Sequence, residues 1–464
     1  MWVSRQAKKA RPHSAPDTER SPIFQGGPTS GGGDGIVLFA WRGILQLASM
    51  RCQIYLFGLL MVGCGLSHTH DYAAGVLPTA IVSCACVIPD AGPVGPAVSD
   101  WDEPFLTDYV QLTFAESFHK AGEAYFSPDG AWIIFQAVEK PAEGQSPDEH
   151  YAMYVAKLQT QDGAITGLEE PILVSPKGSA NTCGWFHPHE PGRILFGCTL
   201  VPPSGTDVPG YQREQSKYRW AFPEEMTIVQ TVVPQILGKS GPIDLKPVVD
   251  MPGYCAEGSW SPDGKTILYA RVLPETQDAD LYVHDMASGN KTKIVAAPGY
   301  DGGPFFSPDG QFICYRSDRE GNNLLQIQVS KLKMEEGVPS GIQAEFALTA
   351  DRHVNWAPFF HPSGDWLVYA TSRVSHRNYE VFALPLTGDL SVKKEPVRIT
   401  NAMGFDGLPV FNPEGSLMMW TAQRGQDRNQ EGRPSSQLWL AKTTGKVIPI
   451  SASTESSAPI QSGE

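Results

Sequence analysis

Apolar and aromatic residues fall in short runs along most of this chain, and the runs come in pairs split by a turn signal. Tyr125-Phe126-Ser127-Pro128-Asp129-Gly130 precedes Trp132-Ile133-Ile134-Phe135, and Trp185-Phe186-His187-Pro188 precedes Ile194-Leu195-Phe196. The pattern returns at Trp260-Ser261-Pro262-Asp263-Gly264, Phe306-Ser307-Pro308-Asp309-Gly310, Phe360-His361-Pro362-Ser363-Gly364 and Phe411-Asn412-Pro413-Glu414-Gly415, each with an apolar run behind it. Proline presets φ for the first central turn position and Gly accepts the positive φ, so each copy predicts a hairpin. The run after the turn is apolar at nearly every position, as expected of a strand covered on both faces.

Third strands are expected at Tyr151–Leu158, Asp280–Asp285, Leu324–Leu332, Tyr379–Leu386 and Gln437–Lys442, and fourth strands at Lys291–Val295, Ala344–Leu348 and Pro396–Thr400. Four strands per unit, recurring at roughly 45–75 residues, is the arithmetic of a propeller. The expected fold is all-β: a six-bladed β-propeller of four-stranded antiparallel blades over residues 105–450, with a tail at 451–464. The long interval before Pro262 implies an insertion in blade two around Tyr211–Phe222, and Glu224–Val233 reads poorly as that blade's third strand. Either Tyr109–Thr113 or Lys446–Ile450 completes the last blade.

Composition agrees, with 46 Gly, 39 Pro and 10% aromatic residues among 464. The N-terminus adds a different signal. Met50-Arg51-Cys52 leads into an apolar run, Ile54 to Val62, ending in Gly63-Cys64. That is the layout of an export signal, too short to cross a bilayer, for which about 20 apolar residues are needed. Leu60-Met61-Val62-Gly63-Cys64 resembles a bacterial lipobox, which implies lipidation at Cys64, with residues 50–63 removed; Gly65 in place of Asp points to the outer membrane. An ordinary cleaved signal or an uncleaved anchor is the alternative, and a second lipobox-like run ends at Cys84. Residues 1–49 are then either an over-extended start or a disordered leader, and residues 64–104 a tether.

Net charge is −14, and the residues before Cys64 carry seven Lys or Arg against three Asp or Glu, so the remainder stands at −18. Such a body has no electrostatic reason to bind nucleic acid. The eight cysteines show no zinc spacing. Cys183 and Cys198 flank one expected hairpin, as a disulfide across it or as two buried thiols. His187-Pro188-His189 sits in a turn and does not point to a metal. Trp132, Trp185, Trp260, Trp366 and Trp420 stand beside the turns and are expected between blades.

The aromatic-x-Ser-Pro-Asp-Gly repeat, followed by Ser317-Asp318-Arg319-Glu320-Gly321-Asn322, resembles that of the periplasmic TolB family over about three quarters of the chain. The resemblance implies a channel whose mouth gathers the residues just before each innermost strand. Asn181, Asp301, Asn355 and Asp406 stand seven before the turn proline, Glu123 and Glu257 five before, His119 and His353 nine before. Such a ring suits a cation, peptide amino groups or a sugar. The same Asp and Asn residues are also turn-capping types, as in Tyr300-Asp301-Gly302-Gly303 and Phe405-Asp406-Gly407.

TolB-like propellers also cap prolyl oligopeptidase-like enzymes, but no Gly-x-Ser-x-Gly elbow occurs here and fewer than fifty residues follow Trp420. The expectation is a non-catalytic, monomeric, lipid-anchored periplasmic module that uses no cofactor and binds an envelope protein, peptide or glycan, by resemblance Tol-Pal-like. The alternative is a metal-dependent polysaccharide lyase or hydrolase on the propeller, of the oligogalacturonate lyase type, with His119 and His353 at the mouth.

Overall fold

Five times the chain makes the same turn, and a sixth time a version one residue longer, and hydrogen bonds explain its sequence. Ser127 Oγ donates to Asp129 Oδ1 at 2.5 Å and accepts the Trp132 amide at 2.9 Å, while Gly130 holds φ 67°. Ser261 with Asp263 and Ser307 with Asp309 repeat the arrangement, and Asn412 Oδ1 replaces the hydroxyl by accepting the Leu417 amide at 2.8 Å. His187 substitutes through Nδ1, which accepts the amides of His189 and Glu190 at 3.1 and 3.0 Å. Its role is that of the turn serine in the other blades. In blade two the closing bond runs from the His187 amide to the Arg193 carbonyl, one residue later than elsewhere, because His189-Glu190-Pro191-Gly192 lengthens the turn.

The computed structural model describes residues 101–445 apart from 206–209, 213–216, 220–221, 250, 387–388 and 392–393. Cys64 and its signal run, the leader, most of the tether, Cys84, the tail and the strand proposed at Lys446–Ile450 lie outside the described residues. Innermost strands are Phe118–Phe126, Asn181–Phe186, Cys255–Trp260, Asp301–Phe306, Asn355–Phe360 and Asp406–Phe411. Each leads an antiparallel sheet of four strands, blade one alone dividing its outer strand into Ala164–Leu168 and Ile172–Leu173. Tyr300-Asp301-Gly302 and Phe405-Asp406-Gly407, which carry turn chemistry in sequence, open strands instead.

Blade two's third strand is Thr227–Val232, paired with Arg193–Cys198, so the stretch that reads poorly in sequence is a strand nonetheless. The insertion before it contains a hairpin of Gly210–Gln212 with Lys217–Arg219. Blade four's outer strand spans Val338–Ala347, longer than the expected Ala344–Leu348.

Second strands supply the core. Phe135, Phe196, Tyr269, Tyr315, Tyr369 and Trp420 hold equivalent places and are all fully buried. At about 25 cal/mol per Å² of apolar surface, such residues dominate the stability of the stack. Cys198 is also buried here, but it pairs in register with Asn181, not Cys183, and both thiols are free. The hairpin register thus rules out the disulfide considered from spacing.

The N-terminal strand closes the ring. Leu106–Gln111 pairs with Gln437–Thr443 as the outer strand of blade six. A latch secures it: Arg424 donates to both oxygens of Glu103 at 2.9 and 2.6 Å and to both of Asp406 at 2.8 and 3.0 Å. Trp101 covers the guanidinium at 4.4 Å. Trp101 and Glu103, assigned to the tether by sequence, therefore belong to the folded body.

Candidate functional site

One position recurs around the axis in all six blades. Five residues before each turn proline stand Glu123, Cys183, Glu257, Gly303, Ala357 and Leu408, with φ of 45°, 48°, 58°, 58°, 51° and 56°. Each lies in a β-bulge, where the pairing with the second strand skips. Bulges re-aim side chains, and left-handed φ is uncommon outside Gly, so six in register mark a built feature. All six residues line one central cavity.

Two residues further on, the channel is stopped. Tyr125 and Trp185 of neighbouring blades meet Phe305 and Phe359 from across the axis, with ring centroids 4.9–6.4 Å apart. Trp185 thus reaches the channel as well as packing between blades, where the sequence placed it. Above this plug the free space is ≈ 20 Å³, about what one water molecule requires. The result is a blind cup rather than a pore.

The cup is polar on one side. Glu257 accepts the Tyr300 hydroxyl at 2.7 and 2.8 Å and the Gly303 amide, and faces Arg316 Nη2 at 3.3 Å. Arg316 Nη2 in turn donates to the Tyr300 oxygen at 2.8 Å. Burial alone would lower the Arg316 pKa, but Tyr300 and Glu257 hold it above its ordinary value. Glu123 accepts the Cys183 thiol at 2.8 Å and the Tyr125 hydroxyl at 3.2 Å. Burial pushes the Glu123 carboxyl up, with the Cys183 hydrogen bond and then Arg316 pulling it back, and burial first drives the Cys183 thiol well up. Aromatic residues pack behind Tyr300 and Arg316: Phe222 of the insertion stacks on Tyr300 at 5.8 Å and packs on Tyr254 at 4.9 Å, while Trp356, 6.0 Å from the Arg316 guanidinium, lies 6.1 Å from Phe405.

The sequence-derived ring divides here. Glu123 and Glu257 come together in the cup. The residues seven before the proline do not join them; each begins its innermost strand and is buried. Asp301 accepts Arg319 Nη2 at 3.0 Å, and Asp406 holds Arg424 and the Trp420 indole. Asn181 donates to the carbonyls of Tyr151 and Ser179, and Asn355 to Gln326 and Asp351. In blades four and six the Asp and an Arg eighteen residues later thus form an ion pair within the blade, which gives Ser-Asp-Arg its physical meaning. His119 and His353 are half-buried, on blades one and five, and their carbonyls accept Ser435 Oγ and Gln326 Nε2. Among the described residues no three His, Cys, Asp or Glu side chains converge as metal ligands would.

Cys183, Arg316 and Tyr300 are the site residues that sequence reasoning missed. Cys183 was findable, since it shares the register of Glu123 and Glu257. Arg316 reaches the axis from a second strand, and no spacing signals that.

Residues 241–347 match the model of the TolB beta propeller domain. An uncharacterized protein of Agrobacterium fabrum is 33% identical over 112 residues, 24% of this chain and 34% of that protein. The Tol-Pal system protein TolB of Alcanivorax borkumensis is 33% identical over 63 residues, 14% of each chain. These matches span about a third or less of the relatives' own lengths. A solved structure of oligogalacturonate lyase in complex with manganese has a TM-score of 0.41 at 13% identity, covering 73% of this chain and 97% of that one. The chain is thus a six-bladed β-propeller, and residues 241–347 of it are similar to the TolB beta propeller domain.

Proposed function

We propose that the protein is a non-catalytic receptor of the bacterial cell envelope, exported to the periplasm, held to the outer membrane by a lipid on Cys64, and binding a protein or peptide at the channel mouth. The observation that carries the reading is the blind cup. A channel plugged by aromatic rings and polar on one side, with Phe222, Trp356 and Phe405 read as its rim, suits a ligand that enters end-on and stops. The likeness to a Tol-Pal system protein makes an envelope partner the natural candidate.

Retention of ligands from envelope extracts on the immobilised full-length chain tests this reading, against a Trp356→Ala/Phe405→Ala variant of unchanged melting point. Retention by the native chain and its loss in the variant is the expected result. Equal retention moves the site elsewhere, first to the hairpin at 210–219. Cleavage of an acidic polysaccharide by manganese-loaded protein would replace the receptor reading with a lyase.

A further inference from the structure

The charges in the cup do not balance. Arg316 is committed to Glu257 and the Tyr300 oxygen, whereas the donors at Glu123 are neutral: the Cys183 thiol, the Tyr125 hydroxyl and, at 3.5 Å, the Thr182 hydroxyl. Two carboxylates therefore share one guanidinium. An ionised Glu123 leaves uncompensated negative charge where water is scarce, which a ligand cation would neutralise. The space beside it, ≈ 20 Å³, takes one water-sized group. An ammonium on a thin alkyl stem fits; a sugar ring is too wide, and a carboxylate would meet two of its own kind. The rings of Tyr125, Phe305 and Phe359 line the same space and favour a cation further.

Resting on the receptor reading above, we propose that the cup captures a single primary ammonium of the partner, a lysine side chain or a chain N-terminus, against the Glu123 carboxylate. Gly303 contributes by giving Arg316 room to neutralise Glu257, which leaves Glu123 as the acceptor. The groups facing Glu123 are Tyr125 and Tyr151 of its own blade, Cys183 of blade two, Glu257 of blade three and Arg316 of blade four. The ammonium stabilises the ionised carboxyl, so affinity falls as pH drops through the Glu123 titration, by up to about tenfold per pH unit for one proton.

Calorimetric titration of the full-length chain with acetyl-Gly-Lys-Gly-amide, its Nε-acetylated form, and Gly-Gly-Gly-amide with a free N-terminus separates the sources. The free-amine peptides should bind at least about tenfold more tightly than the acetylated one, a difference of about 1.4 kcal/mol. Glu123→Gln should abolish both that preference and its pH dependence. In the native chain the bound amine should also slow iodoacetamide alkylation of Cys183, a readout independent of whether the variant folds. Equal affinity for the acetylated peptide, a preference kept by Glu123→Gln, or an unchanged alkylation rate at millimolar peptide overturns the assignment. Retention of the envelope ligand is scored separately on the Trp356/Phe405 variant, so failure of the amines sinks this inference alone.

Discussion

The Arg316 guanidinium occupies the space that a side chain at position 303 would fill: a Cβ added to Gly303 would overlap Nη1. Ala357 holds the same left-handed backbone in blade five, so conformation alone does not demand glycine. The guanidinium does. Gly303→Ala should lower stability by about 2–4 kcal/mol, from the positive φ and the overlap together. Urea denaturation measures it, and Arg316→Ala in the same chain should relieve the overlap while keeping the backbone cost. A fully additive pair of losses would show that the two residues do not compete for the space.

Arg424 is fully buried between Glu103 and Asp406. Arg424→Met leaves two carboxylates without their partner and should cost about 3–5 kcal/mol. It should also free the closing strand, so limited proteolysis is expected to cut near residues 105–117 in the variant before the native chain is touched. Asp301→Ala should cost less, because Arg319 is partly exposed and keeps Glu345 at 2.7 Å. A variant of Arg424 as resistant as the native chain would mean that strand pairing alone closes the ring.

Glu380 has no exposed surface, and burial raises its carboxyl from 4.5 to about 7, against hydrogen bonds from Thr400 and Arg398. Between those values the folded chain holds a proton that the unfolded chain has released. This residue's contribution therefore declines as pH rises from about 4.5 to about 7 and levels off above. Glu380→Gln should remove that decline, on the order of 2–3 kcal/mol, seen as the difference between native and variant stabilities across the range. A pH-independent difference would refute it.

Lipidation at Cys64 predicts that Cys64→Ser abolishes labelled palmitate incorporation and moves the protein from the membrane to the soluble fraction. Several acyl chains hold a lipoprotein far more firmly than one, so the shift should be large. Labelling that persists in the variant would point to Cys84.

The sequence by itself determined the architecture, because its evidence is local and repeated. Ser127, Pro128, Asp129 and Gly130 satisfy one another within a single turn, and six such turns in phase admit few folds. Register along each innermost strand also brought Glu123 and Glu257 to notice. Tertiary structure decided what depends on distant segments meeting. Asp301 and Asp406, alike in sequence to ligand-binding acids, are spent on Arg319 and Arg424. Leu106–Gln111 closes the ring by joining a strand more than 300 residues away, and the plug forms only because Tyr125 and Phe359 face each other across the axis. Which blade supplies the cation for a buried carboxylate is set by the closed ring, since charge pairing requires contact in space and leaves no periodic trace along the chain.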